Sequence, residues 1–88
     1  MTPDTLLGII EETAGGSPAD FQAQKHRITV GLAWLRDEYD AGLQTRSRAE
    51  IEEAMLTLRL CQTAEDVRAV RLDEYVRRAQ TFETEVDI

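Results

Sequence analysis

The sequence predicts an all-α protein, a small bundle of about four helices with one short N-terminal helix and three longer ones. Three observations support this prediction. Apolar residues recur at spacings of three and four along most of the chain, as they do on one face of a helix. Serine or threonine precedes several of these segments, where helix-capping residues are expected. Glycines follow the first two segments, as is common at helix ends.

The first two helices are predicted over residues 3–14 and 18–42. Thr2 precedes a proline and an aspartate, and Ser17 precedes a proline, which is favoured at the first helical position. Glycines at 15, 16 and 42 should end these helices by adopting the left-handed conformation. Gly31 lies within the second segment and predicts a break there, because glycine costs about 1 kcal/mol inside a helix.

The last two helices are predicted over residues 48–62 and 64–81. Ser47 and Glu50 form a capping-box pattern, in which the serine caps the helix and the glutamate reaches back to it. Thr63 precedes the fourth segment in the same way. We expect residues 1–82 to form a single helical domain and residues 83–88 to form an acidic C-terminal tail.

Each of the three longer helices carries a main apolar stripe that should face the core. The predicted core residues are Phe21, Ile28, Leu32, Leu35 and Tyr39 on the second helix, Ile51, Ala54, Met55 and Leu58 on the third, and Leu72, Tyr75, Val76, Ala79 and Phe82 on the fourth.

Other apolar residues lie roughly opposite these stripes and predict a protein-interaction surface. On the second helix they are Val30 and Trp34, with alanines at 23 and 41. On the third helix they are Leu56 and Leu60. A helix that is apolar on two sides is either central in its bundle or faces a partner. The interpretation we favour is one contact surface built from the two pairs.

Two acidic residues flank the tryptophan in this predicted surface. Asp37 and Glu38 are candidates for its polar rim. With Asp40 they also place negative charge near the end of the second helix, where the helix dipole disfavours it. Such a conflict with local preference is sometimes found at functional positions.

The formal net charge is −7, from 17 acidic and 10 basic residues among 88. This balance argues against direct binding to nucleic acid or to an anionic membrane surface, and it permits a basic protein partner. The sequence has no apolar run long enough to cross a bilayer, no signal-peptide pattern at its start, and one cysteine. We expect a cytoplasmic location.

The residues needed for catalysis are scarce. His26 lies in a polar stretch and is expected to be exposed, and Cys61 is expected to be a buried, inert thiol. The acidic pairs have none of the spacings typical of metal sites. The sequence therefore predicts no catalytic, cofactor-binding or metal-binding residues, no small-molecule substrate and no enzymatic activity.

The predicted function is that of a small acidic protein–protein interaction module. It would be an adaptor, assembly factor or inhibitor that acts as a homodimer or binds a larger protein. The first alternative is an acidic decoy, or phage-type inhibitor, of a basic nucleic-acid-handling protein. The second is a small carrier-like protein, since acyl carrier proteins are also short, acidic and helical. Ser17 and Ser47 do not lie in the Asp-Ser-Leu turn of that family.

Overall fold

A computed structural model describes residues 2–16 and 20–84, and over these ranges the protein is an all-α bundle, as predicted. Five helices are present in the described residues: α1 (Pro3–Gly15), α2 (Phe21–Ala41), α3 (Thr45–Leu60), α4 (Ala64–Ala69) and α5 (Leu72–Thr84). The predicted cap at Ser17 and the part of the predicted tail beyond residue 84 lie outside the described ranges.

The four longer helices pack side by side around one core. α2 and α3 are antiparallel, since Lys25 near the start of α2 contacts the end of α3, and Asp40 near the end of α2 contacts Arg48 near the start of α3. α5 packs against α3, and α1 packs against α2, α4 and α5. The described residues measure 47 × 21 × 20 Å, which is the width of two helices in each short direction.

The predicted core stripes are largely confirmed. The buried cluster contains the five predicted residues of α2, three of the four predicted in α3, and three of the five predicted in α5. Met55 and Tyr75 are partly buried and pack against it, and Phe82 is half-buried. Residues of α1 and α4, including Leu6, Ile10 and Val67, complete the core. Burying so much apolar surface is the main source of stability in a domain of this size.

The predicted break at Gly31 is wrong, because α2 is continuous from Phe21 to Ala41. Gly31 is buried on the inner side of the helix. Burial of the apolar face of α2 stabilises the uninterrupted helix and outweighs the cost of about 1 kcal/mol for one glycine in a helix interior.

The segment predicted as a single helix over residues 64–81 is two helices. α4 ends at Ala69, and α5 begins at Leu72 after a turn in which Arg71 has φ 54°. The left-handed backbone at Arg71 redirects the chain, so that Val67 in α4 and Leu72 in α5 are both buried. α5 then extends to Thr84, so the first two residues of the predicted tail are helical.

The predicted capping role of Ser47 is wrong. α3 begins at Thr45, with Gln44 as the residue before it, so Ser47 lies inside the first turn. Its side chain is buried, and its hydroxyl donates a 2.6 Å hydrogen bond to the backbone oxygen of Ala79 in α5. The carboxylate of Glu50 bonds to Arg78 on α5 instead of reaching back to Ser47. By contrast, Thr63 and Asp66 do form the predicted capping box at the start of α4.

The turn between α2 and α3 contains a second departure from prediction. Gly42 does end α2, but its φ is −85°, and the left-handed residue is its neighbour Leu43, with φ 58°. A residue with a Cβ is disfavoured in this conformation by about 1–2 kcal/mol. Leu43 is also the most exposed of the large apolar residues, so its side chain contributes little burial in return.

We therefore expect Leu43→Gly to stabilise the protein. Relief of the left-handed strain, less the greater flexibility of glycine in the unfolded chain, should raise the free energy of unfolding by about 0.5–1 kcal/mol. Urea titration followed by circular dichroism measures this difference. Leu43→Ala is the matched control, because it shortens the side chain and keeps the Cβ, and it should change stability little. Equal stability of the two variants would contradict the explanation.

Candidate interaction surface

The outer face of α2 combines exposure with apolar character. Val30 and Trp34 are 51% and 38% exposed. They lie one turn apart on the same side of α2, a helix of 21 residues. Their neighbours Ile28, Leu32 and Leu35 are buried on the opposite side. The two faces arise from one sequence pattern, because positions two residues apart point in nearly opposite directions on a helix. An exposed tryptophan beside an exposed valine forms an apolar patch on the outer side of α2.

Leu56 and Leu60 on α3 are also exposed, at 56% and 81%. Leu56 lines a groove of about 310 Å³ between α2 and α3, together with Met55. The other groove residues are polar or charged: Lys25, Thr29 and Arg36 from α2, and Glu52 and Arg59 from α3. Of the four apolar residues predicted to share a surface, only Leu56 lines this groove. Val30 and Trp34 lie on a different side of α2 from the groove and form a separate apolar region.

The predicted rim residues are exposed and differ in their contacts. Asp37 is paired with Arg36, its neighbour in the chain, at 3.2 Å. Glu38 is exposed one turn beyond Trp34. Asp40 accepts a 2.8 Å bond from Arg48, which also bonds to Glu52. Much of the negative charge at the end of α2 is thus balanced by arginines, which explains how the helix tolerates it.

The two groups with reactive potential are placed as expected. The Cys61 thiol is buried, and burial raises its pKa, with the nearby carboxylate of Asp66 adding to the effect and Lys25 opposing it. A thiol with a raised pKa remains protonated near neutral pH and is a poor nucleophile. His26 lies on the exposed side of α2. No group of three or more histidine, cysteine or acidic residues that could hold a metal occurs within the described ranges.

A buried tyrosine connects α2 to the end of α5. The Tyr39 hydroxyl donates a 3.2 Å hydrogen bond to the carboxylate of Glu83. Burial and this carboxylate raise the pKa of Tyr39 well above its ordinary value, so the phenol remains neutral. Glu83 is the first residue of the predicted acidic tail, and in the structure it belongs to α5 and accepts this hydrogen bond. A buried tyrosine usually needs a partner for its hydroxyl, and this is the sequence signal for such a contact.

The C-terminal ends of α3 and α1 are capped by positively charged side chains from other helices. The Lys25 ammonium on α2 donates to the backbone oxygens of Arg59 and Cys61 at the end of α3, at 3.3 and 2.6 Å. The Arg68 guanidinium on α4 donates to the backbone oxygen of Ala14 at the end of α1, at 3.2 and 2.7 Å. The last carbonyls of a helix have no partner within the helix, and positive charge is favoured beside them.

In the described residues, no helix has both the length and the apolar character needed to span a membrane. Comparison with known proteins gives no relative: neither a protein-family model, nor a curated protein, nor a solved structure matches this chain.

Proposed function

We propose that this protein is a small protein–protein interaction module of the cytoplasm, an adaptor, assembly factor or inhibitor without enzymatic activity. One observation carries the proposal: Val30 and Trp34 are exposed together on the outer face of α2, opposite a fully formed core face. The core does not need these side chains, and their exposure to water is unfavourable in the free protein. Covering them with another protein surface relieves that cost.

The neighbourhood of Trp34 has the character of an interaction site. Large aromatic residues are enriched among those that dominate binding energy, and charged side chains at the edge of a contact commonly form its polar rim. Asp37 and Glu38 lie next to the tryptophan on the same exposed part of α2 and supply such a rim. Leu56 and Leu60 on α3 are also exposed, but they lie apart from this region.

The alternative of an acidic decoy ranks second because many acidic residues are used within the bundle. Glu11 pairs with Arg77, and Glu50 pairs with Arg78, in each case joining two helices. Mixed charges of this kind do not present the continuous negative surface that imitates a nucleic acid. A carrier function is supported even less, since the Ser47 hydroxyl is buried and already bonded.

The substitution Trp34→Ala tests the proposal. We expect the variant to keep the helicity and nearly the stability of the original protein, and to lose binding by about 2 kcal/mol or more. Circular dichroism and thermal melting report on the fold. Sedimentation velocity reports on self-association, and capture from an extract of the native host, compared between the original protein and the variant, reports on a different partner.

Leu43→Ala is the control for this experiment, because it removes an exposed leucine from a different part of the surface. It should retain whatever association the original protein shows. The proposal is wrong if Trp34→Ala behaves like Leu43→Ala in both binding measurements. A large drop in melting temperature for Trp34→Ala would instead show that the tryptophan stabilises the bundle itself.

A further inference from the structure

The exposed face of α2 has a regular composition beyond the valine and the tryptophan. Six exposed residues follow one another at spacings of four, three, four, three and four, which is the repeat of a helix seam that packs against another helix. We call them the outer stripe: Ala23, Arg27, Val30, Trp34, Asp37 and Ala41.

The outer stripe is symmetric about its midpoint. Counting from Leu32, the valine and the tryptophan lie two residues away on either side, Arg27 and Asp37 lie five away, and the two alanines lie nine away. If a second copy of α2 is laid antiparallel on the first with its centre at the same level, each residue meets its counterpart. Val30 then faces the other copy's tryptophan, and each arginine faces an aspartate.

This arrangement meets the requirement of a two-fold symmetric interface, in which residue i contacts residue j and residue j contacts residue i. A large aromatic residue packs against a β-branched one at the centre, opposite charges meet on both sides, and alanines at the ends allow the helices to approach closely. Arg27 and Asp37 are both exposed, and among the described residues their side chains bond locally, to Gln24 and Arg36 respectively. Exchanging these contacts across an interface therefore requires no change in the core.

We infer that the occupant of this face is a second copy of the chain, and that the protein forms a two-fold homodimer by antiparallel pairing of α2 with α2 of the partner. The inference rests on the proposed interaction function and identifies its partner. The outer stripe lies away from α3, since Lys25, Thr29 and Arg36, the α2 residues of the α2–α3 groove, occupy another side of the helix. Two bundles can thus meet through α2 without disturbing either groove.

The charge pairs provide the first test. Arg27→Glu places like charges opposite each other twice in a dimer and should weaken the dimer by about tenfold, and Asp37→Arg should do the same. The double variant Arg27→Glu/Asp37→Arg restores opposite charges and should recover most of the original dissociation constant. Sedimentation equilibrium over a range of concentrations measures each constant. No recovery in the double variant would overturn the pairing.

Cross-linking tests the register and the direction of the pairing. Ala23→Cys and Ala41→Cys should form a disulfide-linked dimer when the two variants are mixed and oxidised, because these positions face each other across the interface. Each variant alone should form none, since two copies of one position are about 27 Å apart in an antiparallel pair. The unmodified chain, whose Cys61 is buried, is the control. Cross-linking of each variant with itself would show parallel pairing and overturn the inference.

The outcomes separate this inference from the proposed function. A chain that is monomeric at every concentration, yet binds another protein through Trp34, would overturn the homodimer and leave the interaction function standing. A dimer that is insensitive to Trp34→Ala and gives no cross-link between the mixed variants would also overturn it, because such a dimer uses another surface. A chain that neither dimerises nor binds a partner through Trp34 would overturn both.

Discussion

Replacement of Ser47 by aspartate should destabilise the bundle by about 3–5 kcal/mol at neutral pH. The Ser47 side chain is buried between α3 and α5, and its hydroxyl donates to the backbone oxygen of Ala79 at 2.6 Å. A carboxylate has no hydrogen to donate and would face that oxygen with a negative charge. Burying an ionised group without a partner is costly, and the remedy available to the protein is to protonate it.

This substitution separates the structural role of Ser47 from the capping role that its sequence suggests. Aspartate is as good a helix cap as serine, so a cap at this position would tolerate the change. The pH dependence adds a second criterion. Burial would raise the pKa of the new carboxyl in the folded state above its unfolded value, so the deficit in stability should shrink as the pH falls.

Urea titration of the original protein and Ser47→Asp at neutral and acidic pH measures both effects. Ser47→Ala is the matched control, because it removes the hydrogen bond without adding charge and should cost about 1 kcal/mol. Similar stability of the aspartate variant and the original protein would show that the serine side chain is accessible to water.

Leu35→Ala is expected to have an effect of similar size. Leu35 is 3% exposed within the core of α2, and removing a buried leucine to alanine costs about 2–5 kcal/mol. A domain of this size has a total stability of the order of 5–10 kcal/mol, so the melting temperature should fall by at least about 8 °C. Thermal melting followed by circular dichroism measures the change.

The neighbouring substitution Trp34→Ala is the control for the core experiment. It removes a larger side chain one residue away, but from the exposed face of the same helix. If α2 has the orientation described, the smaller truncation should be far more damaging to stability than the larger one. The reverse order would mean that the two faces of α2 have been interchanged.

The apolar periodicity predicted the bundle and most of its core, because burial depends mainly on which face of a helix a residue occupies. It also contained the information needed to place Ser47, which continues the stripe of Ile51, Ala54 and Leu58 by one further turn. The capping-box pattern of Ser47 and Glu50 conflicts with this periodicity and predicts too late a start for α3, which begins at Thr45. The same pattern at Thr63 does form a capping box, and that threonine is exposed at the start of its helix, whereas Ser47 is buried.

The departures at the turns have a different origin. Glycine marks the end of α2, but the sequence alone does not show which residue adopts the left-handed conformation, and in the structure that residue is Leu43. The turn at Arg71 has no glycine or proline to mark it. The bend there allows Val67 and Leu72 both to be buried. Their burial depends on α1 and α3, which are distant in the sequence.

The exposure of the apolar residues outside the core could be predicted from the sequence, but their grouping could not. Exposure of Val30, Trp34, Leu56 and Leu60 follows from their positions opposite the core stripes. The grouping of these residues depends on how α2 and α3 pack, and side-chain periodicity within one helix does not contain that relation. The symmetry of the outer stripe, in contrast, is visible in the sequence of α2 alone. The structure adds that all six residues of the stripe are exposed.

Positively charged side chains from other helices cap the C-terminal ends of α1 and α3, and this affects how the chain folds. Lys25 reaches a carbonyl 36 residues away, and Arg68 reaches one 54 residues away. Neither helix end is complete until distant parts of the chain have met, so an isolated α1 or α3 should fray at its C-terminal turn. Local helix formation and global assembly are thereby coupled, which favours a single cooperative transition without stable fragments.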